Sequence, residues 1–271
     1  TFVAAVGGAG QWSAPNIDGL LAAGSFQPGS TIGFDTAGGD FVYATAVTGA
    51  IGLAKIGTNT LTISGASTYG GGTRLLAGGL VLDADQGLGA GPLEIGSVGS
   101  AASLTLSNVS QTVSGMLVRS TSAADNFIHI DAGQSLVVLG SFTNGAVVDG
   151  VTRTIVDGAG SWAVTNLGGA FQVALITNGI AFLDMRTLGR FDTALGAGVF
   201  RLGQNQLLNG TSTSTVWLAT NSTIAAGILG IGDAVQHTVG RSSLRLGPGE
   251  SVFYTDNLLI GGGKQYSELV F

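Results

Sequence analysis

The sequence predicts an all-β chain wound as a parallel β-solenoid, and three observations predict it. Short apolar or alternating runs of 3 to 7 residues recur along the whole chain, each closed by Gly, Asn, Asp or Ser. No window of about a dozen residues keeps an apolar stripe at i, i+3, i+4, i+7, so helix signals are nearly missing. Gly fills 47 of 271 positions while charged residues make up 10% and Pro only 4 positions. Turns this Gly-rich and closely spaced leave no room for crossover helices, and strands this short suit a sandwich of this length poorly. A solenoid needs only short strands, tight corners and inward apolar residues that stack from coil to coil.

The expected strands begin with Phe41 to Val47, Thr60 to Ile63, Thr73 to Leu76, Leu80 to Leu82 and Leu93 to Ile95. They continue through Ser103 to Leu106, Gln111 to Ser114, Met116 to Arg119, Phe127 to Ile130, Leu136 to Leu139 and Thr152 to Val156. Trp162 to Thr165, Ala170 to Ile176, Ile180 to Leu183, Val199 to Leu202, Val216 to Ala219, Leu244 to Leu246 and Val252 to Tyr254 complete the set. Only Pro15 to Ala23 and Ser222 to Leu229 read as short helices. A small-Leu-x-apolar pattern links Leu80, Leu104, Leu136 and Leu244 at irregular spacings. At roughly 20 to 25 residues per coil and ~4.8 Å per coil, the chain makes about 11 to 13 coils and a body on the order of 50 to 60 Å long. No linker divides it, so residues 1–271 read as one domain.

Composition excludes several function classes. Ten basic against 16 acidic residues give a net charge of −6, with no basic cluster to meet phosphates, so nucleic acid is not an expected partner. A hydrophobic fraction of 45% opposes disorder, and no uninterrupted apolar stretch is long enough for a spanning helix, so direct membrane insertion is not expected. With no Cys there are no disulfides, thiolate metal sites or Cys nucleophiles. The chain opens at Thr1 without a charged region followed by an apolar one, which reads as a processed or excised piece.

The sharpest stretch runs from Gly52 to Leu82. Leu53, Lys55, Gly57, Thr60, Leu61, Ile63, Gly65, Tyr69, Gly71, Thr73, Gly78 and Leu80 fall at the spacing L-x-K-x-G-x-x-T-L-x-I-x-G-x-x-x-Y-x-G-x-T-x-x-x-x-G-x-L. This resembles the autotransporter-associated β-strand repeat, also called the passenger-associated transport repeat, with Asn59 in place of a usual Gly and Ser67 in place of a usual Asn. The resemblance covers residues 31 to 106 and implies a right-handed parallel β-helix within a large secreted or surface protein. The residues make physical sense by themselves. Leu61 and Ile63 alternate with Thr60, Thr62 and Ser64, so one face enters a core and the other meets solvent. Gly65, Gly71, Gly72, Gly78 and Gly79 are expected at corners that need positive φ, and Tyr69 is expected to pack its ring with its hydroxyl wet.

Candidates for chemistry are sparse. Asp83 and Asp85 before Gly87 only faintly resemble the start of a calcium loop, and no metal or cofactor is expected. His129 alternates with Ile128 and Ile130 and is expected to face outward, and His237 has no metal-spaced partner. Asp125 and Asp131, Asp149 and Asp157, and Asp184 and Asp192 are loose carboxylate pairs, of which Asp184, Arg186, Arg190 and Asp192 form the one local charged group to test. Trp12, Trp162 and Trp217 are too far apart to read as a sugar platform and are expected to pack.

The expected function is therefore an extracellular structural or adhesive module without an active site, with a carbohydrate-binding or polysaccharide-degrading β-helix as the alternative. Low charge suits a solenoid, since stacking would align like charges, and Thr, Ser and Asn are expected to supply the solvated face. A solenoid's terminal coils expose unpaired strand edges, so Leu269, Val270 and Phe271 are expected to form an assembly end. The expected partners are further repeats of the same protein, a second copy in a homo-oligomer or filament, or a surface polysaccharide.

Overall fold

In a computed structural model the chain is a parallel β-solenoid. The structure describes all residues except 25, 120–123, 147–149, 176–178, 204–211, 233–237 and 262–263. Its strands stack in register into three ladders. The first runs from Phe2–Ala5 through Thr31–Asp35, Gly52–Ile56, Thr73–Leu75, Leu93–Ile95, Met116–Val118, Phe142–Ala146, Ala170–Leu175 and Val199–Leu202 to residues 228–231 and 257–260. The second begins at Phe41–Tyr43 and follows Thr60–Ile63, Gly78–Leu82, Ala102–Leu106, Asn126–Ile130, residues 150–157, Gly179–Asp184, Ser212–Trp217 and Thr238–Arg245 to Lys264–Val270. The third starts only at Gln111–Val113 and continues through Ser135–Val138, residues 161–165 and Leu188–Ala194 to the first halves of Asn221–Ile231 and Ser251–Ile260.

The late start of the third ladder explains the irregular period. Leu53, Thr73, Leu93, Met116, Phe142, Phe171, Phe200, Leu229 and Leu258 lie in register, so successive spacings run 20, 20, 23, 26 and then 29 four times. The shorter coils carry two strands and their corners; the longer ones carry three. The expected coil length therefore holds only for the earlier coils. Leu80 and Leu104 do share a column, but Leu136 lies on the third ladder and Leu244 stacks two columns away, over Val216 and Leu183.

Some strands run longer than the sequence predicts because they bend across a corner. Gly150–Thr165 serves the second ladder and then the third, with its register shift between Gly158 and Ser161. The segment expected as a helix from Ser222 to Leu229 lies inside the strand Asn221–Ile231, where a ladder on each half overrides a weak helical pattern.

The other short helix forms. Helix α1 spans Ala14–Ala22; Pro15 suits its first turn, and Asn16 Oδ1 accepts from the Ser13 N–H at 3.0 Å. Ile17 is fully buried and Leu21 packs on the core. Asp18 Oδ1 accepts a 2.8 Å hydrogen bond from the hydroxyl of Tyr43, in the first strand of the second ladder, and burial beside this carboxylate pushes the phenol pKa up. The helix is thus tied to the first strand of the second ladder through the Asp18–Tyr43 bond.

The interior is apolar along most columns and aromatic in the wider coils. Phe142, Phe171 and Phe200 stack on the first ladder with centroids 4.7 and 4.4 Å apart, and Trp162 and Phe191 on the third ladder meet them at 4.8 and 5.3 Å. All five are fully buried. Several polar side chains also point inward, against the expectation that Ser, Thr and Asn serve the outer face. Asn126 Oδ1 accepts from the Ala102 N–H and its Nδ2 donates to the Arg153 carbonyl, while Asn144 bonds Thr154 and the Phe182 carbonyl. Gln111 accepts from Leu88 N–H and donates to the Gly89 carbonyl at the corner where the third ladder begins. Corners leave backbone groups without a ladder partner, and buried amides supply one.

Candidate functional site

The residues of the repeat-like stretch lie on two successive coils, those of Gly52–Ile56 and Thr73–Leu75, and they hold coil to coil. Leu53 stacks on Ile32 and Thr73, and Leu61 on Phe41 and Leu80. Leu53, Leu61, Ile63 and Leu80 are buried; Thr60 faces outward, and its N–H donates to Asp40 at 2.7 Å. Lys55 is fully buried. Its ammonium donates to the carbonyls of Ile56 at 3.0 Å, Gly57 at 2.8 Å and Ala77 at 3.0 Å, tying one corner to the next. Burial lowers its pKa to about 8 against the pull of Asp35 and Asp40. Asn59 exchanges hydrogen bonds with Thr36 across the same corner, which gives this departure from the repeat pattern a coil-to-coil role.

Two expectations here need correction. Tyr69 is fully buried and its hydroxyl bonds the Thr73 hydroxyl, so it is not wet; burial pushes its pKa up. Gly72 and Gly78, with φ of +85° and +70°, meet the corner need, but Gly65, Gly71 and Gly79 do not adopt positive φ. Gly65 and Gly71 are there because coils approach closely: a Cβ on Gly65 would lie 2.7 Å from the Ala46 nitrogen, and one on Gly71 2.5 Å from the Ile51 carbonyl carbon.

The expected charged candidates are split up. Arg186 forks onto Asp184 through Nε at 3.0 Å and Nη2 at 2.6 Å, and Arg190 closes on Asp192 Oδ2 at 2.6 Å and reaches Thr223 of the next coil at 3.4 Å, so the two pairs stay separate. Asp125 binds Arg153 at 2.5 Å. Asp85 accepts the Ser110 N–H at 2.7 Å, as a clamp between coils. His129 faces outward as expected, between Asp157 of the next coil, 2.6 Å from Nδ1, and Asp131, 3.1 Å from Nε2. The hydrogen bond to Asp157 raises its pKa. Among the described residues no three His, Asp or Glu side chains converge on a metal position. Asp149 and His237 lie outside the described residues.

Where sequence reading found no cluster, the second ladder builds one. Alternation turns Arg153, Phe182, Trp217, Arg241 and Arg245 outward from four successive strands. Register places Arg153 beside Phe182 and Trp217 between Asp184 and Arg245. The Phe182 and Trp217 rings meet edge to face at 4.6 Å. Arg153 lies 5.0 Å over Phe182, while Arg186 and Arg245 lie 4.5 and 5.7 Å from the Trp217 ring centre. Glu268, one coil on, takes Arg241 at 3.3 Å and Arg245 at 3.4 Å. Beside Trp217 lies an open depression of about 420 Å³, whose lining includes Arg186, Arg245, Pro248 and Phe271. The other tryptophans pack: Trp162 in the core, Trp12 edge-on against Phe2 at 5.2 Å.

The expected assembly end falls in the last coil. Leu269 stacks on Leu244 and packs on the core, Val270 pairs with Arg245, and Phe271 is 93% exposed. Among the described residues no strand pairs with the far edge of Ser251–Ile260 or Lys264–Val270, and Leu258, Leu259 and Ile260 are exposed.

No family model, curated protein or solved structure matches the chain.

Proposed function

We propose that the chain is an extracellular structural or adhesive module, a rigid spacer without catalytic activity that meets further coils of its own protein or a second copy along the edge of residues 251–270. The observation that carries this reading is how the polar chemistry is used. Lys55, Asn59, Asp85, Gln111, Asn126 and His129 each bridge one coil to another. Groups committed to such bridges define a shape instead of serving a substrate. The likeness of residues 53–80 to the autotransporter-associated repeat is in keeping with a secreted or surface setting.

The test has two parts. Incubation with acidic and neutral polysaccharides is expected to release no new reducing ends, and release that Asp184→Ala or Asp192→Ala abolishes would make the chain an enzyme. Electron microscopy is expected to show straight particles whose association is lost when residues 269–271 are deleted; association unchanged by the deletion would reject the edge as the meeting point.

A further inference from the structure

The outer face of the second ladder holds a set of groups that the spacer reading leaves without a task. Four of the chain's ten basic residues, Arg153, Arg186, Arg241 and Arg245, lie on it, together with the aromatic rings of Phe182, Trp217 and the exposed Tyr266. The groups alternate. Rings present apolar edges and faces, guanidinium groups sit beside them already oriented, and Asp125, Asp184 and Glu268 hold those guanidinium groups while keeping lone pairs for further donors. From this arrangement we infer that the face binds an extended polysaccharide laid across successive coils, with sugar C–H faces against Phe182 and Trp217 and sugar hydroxyls or uronate carboxylates on the Arg and carboxylate groups.

The chemistry fits this partner in three ways. A sugar ring is amphipathic, with C–H patches for aromatic contact and neighbouring hydroxyls that both donate and accept, and a guanidinium–carboxylate pair offers both roles in one plane. Three carboxylates offset most of the charge of the four guanidinium groups, which opposes nucleic acid while leaving groups for sugar hydroxyls or single uronate carboxylates. The face is open and its groups come from successive coils ~4.8 Å apart, which suits a long polymer laid across them. The inference rests on the adhesive reading above.

Native gels cast with polygalacturonate, with a mixed-linkage β-glucan or with no polymer test it on the 271-residue chain. Retardation in either polymer gel is expected, the stronger one naming the sugar class. Trp217→Ala is expected to weaken the apparent affinity at least tenfold and Arg186→Gln at least threefold, with an unchanged far-ultraviolet circular dichroism spectrum. Should Trp217→Ala fail to fold, Arg186→Gln, on an exposed turn, decides the matter. Retardation in neither gel, whether or not the chain is captured by a gelatin-coated surface, overturns the inference, as does retardation unchanged in either folded variant. If the polymer binds and is also cleaved, the face stands and the non-catalytic reading falls; if nothing binds and nothing is cleaved, the reverse holds.

Discussion

At the scale of single residues, the fold depends on a few polar side chains buried at corners. Replacing Lys55 by Ala takes the ammonium donor from three corner carbonyls; that of Ile56 keeps the Thr36 N–H at 3.1 Å, while those of Gly57 and Ala77 lose their side-chain partner. Each buried unsatisfied group costs ~1–3 kcal/mol, so a loss of about 3 kcal/mol in chemical unfolding is expected even after water enters part of the gap. Gly78→Ala attacks the same corner from the backbone, because its Cβ would lie 2.5 Å from the Gly57 carbonyl oxygen at a φ that L-residues avoid. His129 acts through pH. Its pKa is raised in the fold above the ordinary 6.5, so the folded state holds the proton more tightly than the unfolded one. The clasp to Asp157 and Asp131 therefore contributes fully below about pH 6.5 and is lost as pH rises through the raised value. Melting temperature followed from pH 6 to pH 9 should show that component fall, and Asp157→Asn should flatten most of it. Sequence made the outward turn of His129 legible through alternation with Ile128 and Ile130. It could not show Asp157 as its partner, since 28 residues separate them and only the coil length brings them together.

Among the elements, the third ladder matters most. Its entry lengthens each coil and makes room for the stack of Phe142, Phe171, Phe200, Trp162 and Phe191. Phe171 touches the other four, so Phe171→Ala is expected to cost ~3–5 kcal/mol, read from the urea midpoint, with the ladders otherwise retained. Short strands closed by small residues were legible because alternation and turn chemistry are local. The three-ladder section was legible too, in the even spacing of Phe142, Phe171 and Phe200, but a search for one period along the whole chain hides it. The helix misread at Ser222 to Leu229 has the same origin: a strand that turns a corner loses its alternation there, as Ala226 and Gly227 do. The aromatic and arginine face was not legible, because Arg153, Phe182, Trp217 and Arg245 become neighbours only through register.

Over the whole molecule the two ends differ. Helix α1 meets the first strand of the second ladder through Asp18 and Tyr43, whereas among the described residues no strand pairs with the far edge of residues 251–270. Two copies that meet through the open edge present the same edge to each other, a two-fold arrangement that closes on itself, while a head-to-tail contact would run into α1. Light scattering over a hundredfold range of concentration is therefore expected to plateau at two chains; masses that keep growing would show that the helix yields its place to an incoming strand.

The aromatic stack also bears on the order in which the rod is built. In a stack where each coil touches only its neighbours, folding starts wherever a few adjacent coils first become stable together and then spreads. The coils from Phe142 to Phe200 bury the bulkiest side chains against one another, while the last coil leaves its own apolar residues half in water. The rod should therefore take shape from its middle outward. Amide hydrogens of residues 162–164, 171–173 and 191–193 should exchange last, and those of 252–260 first.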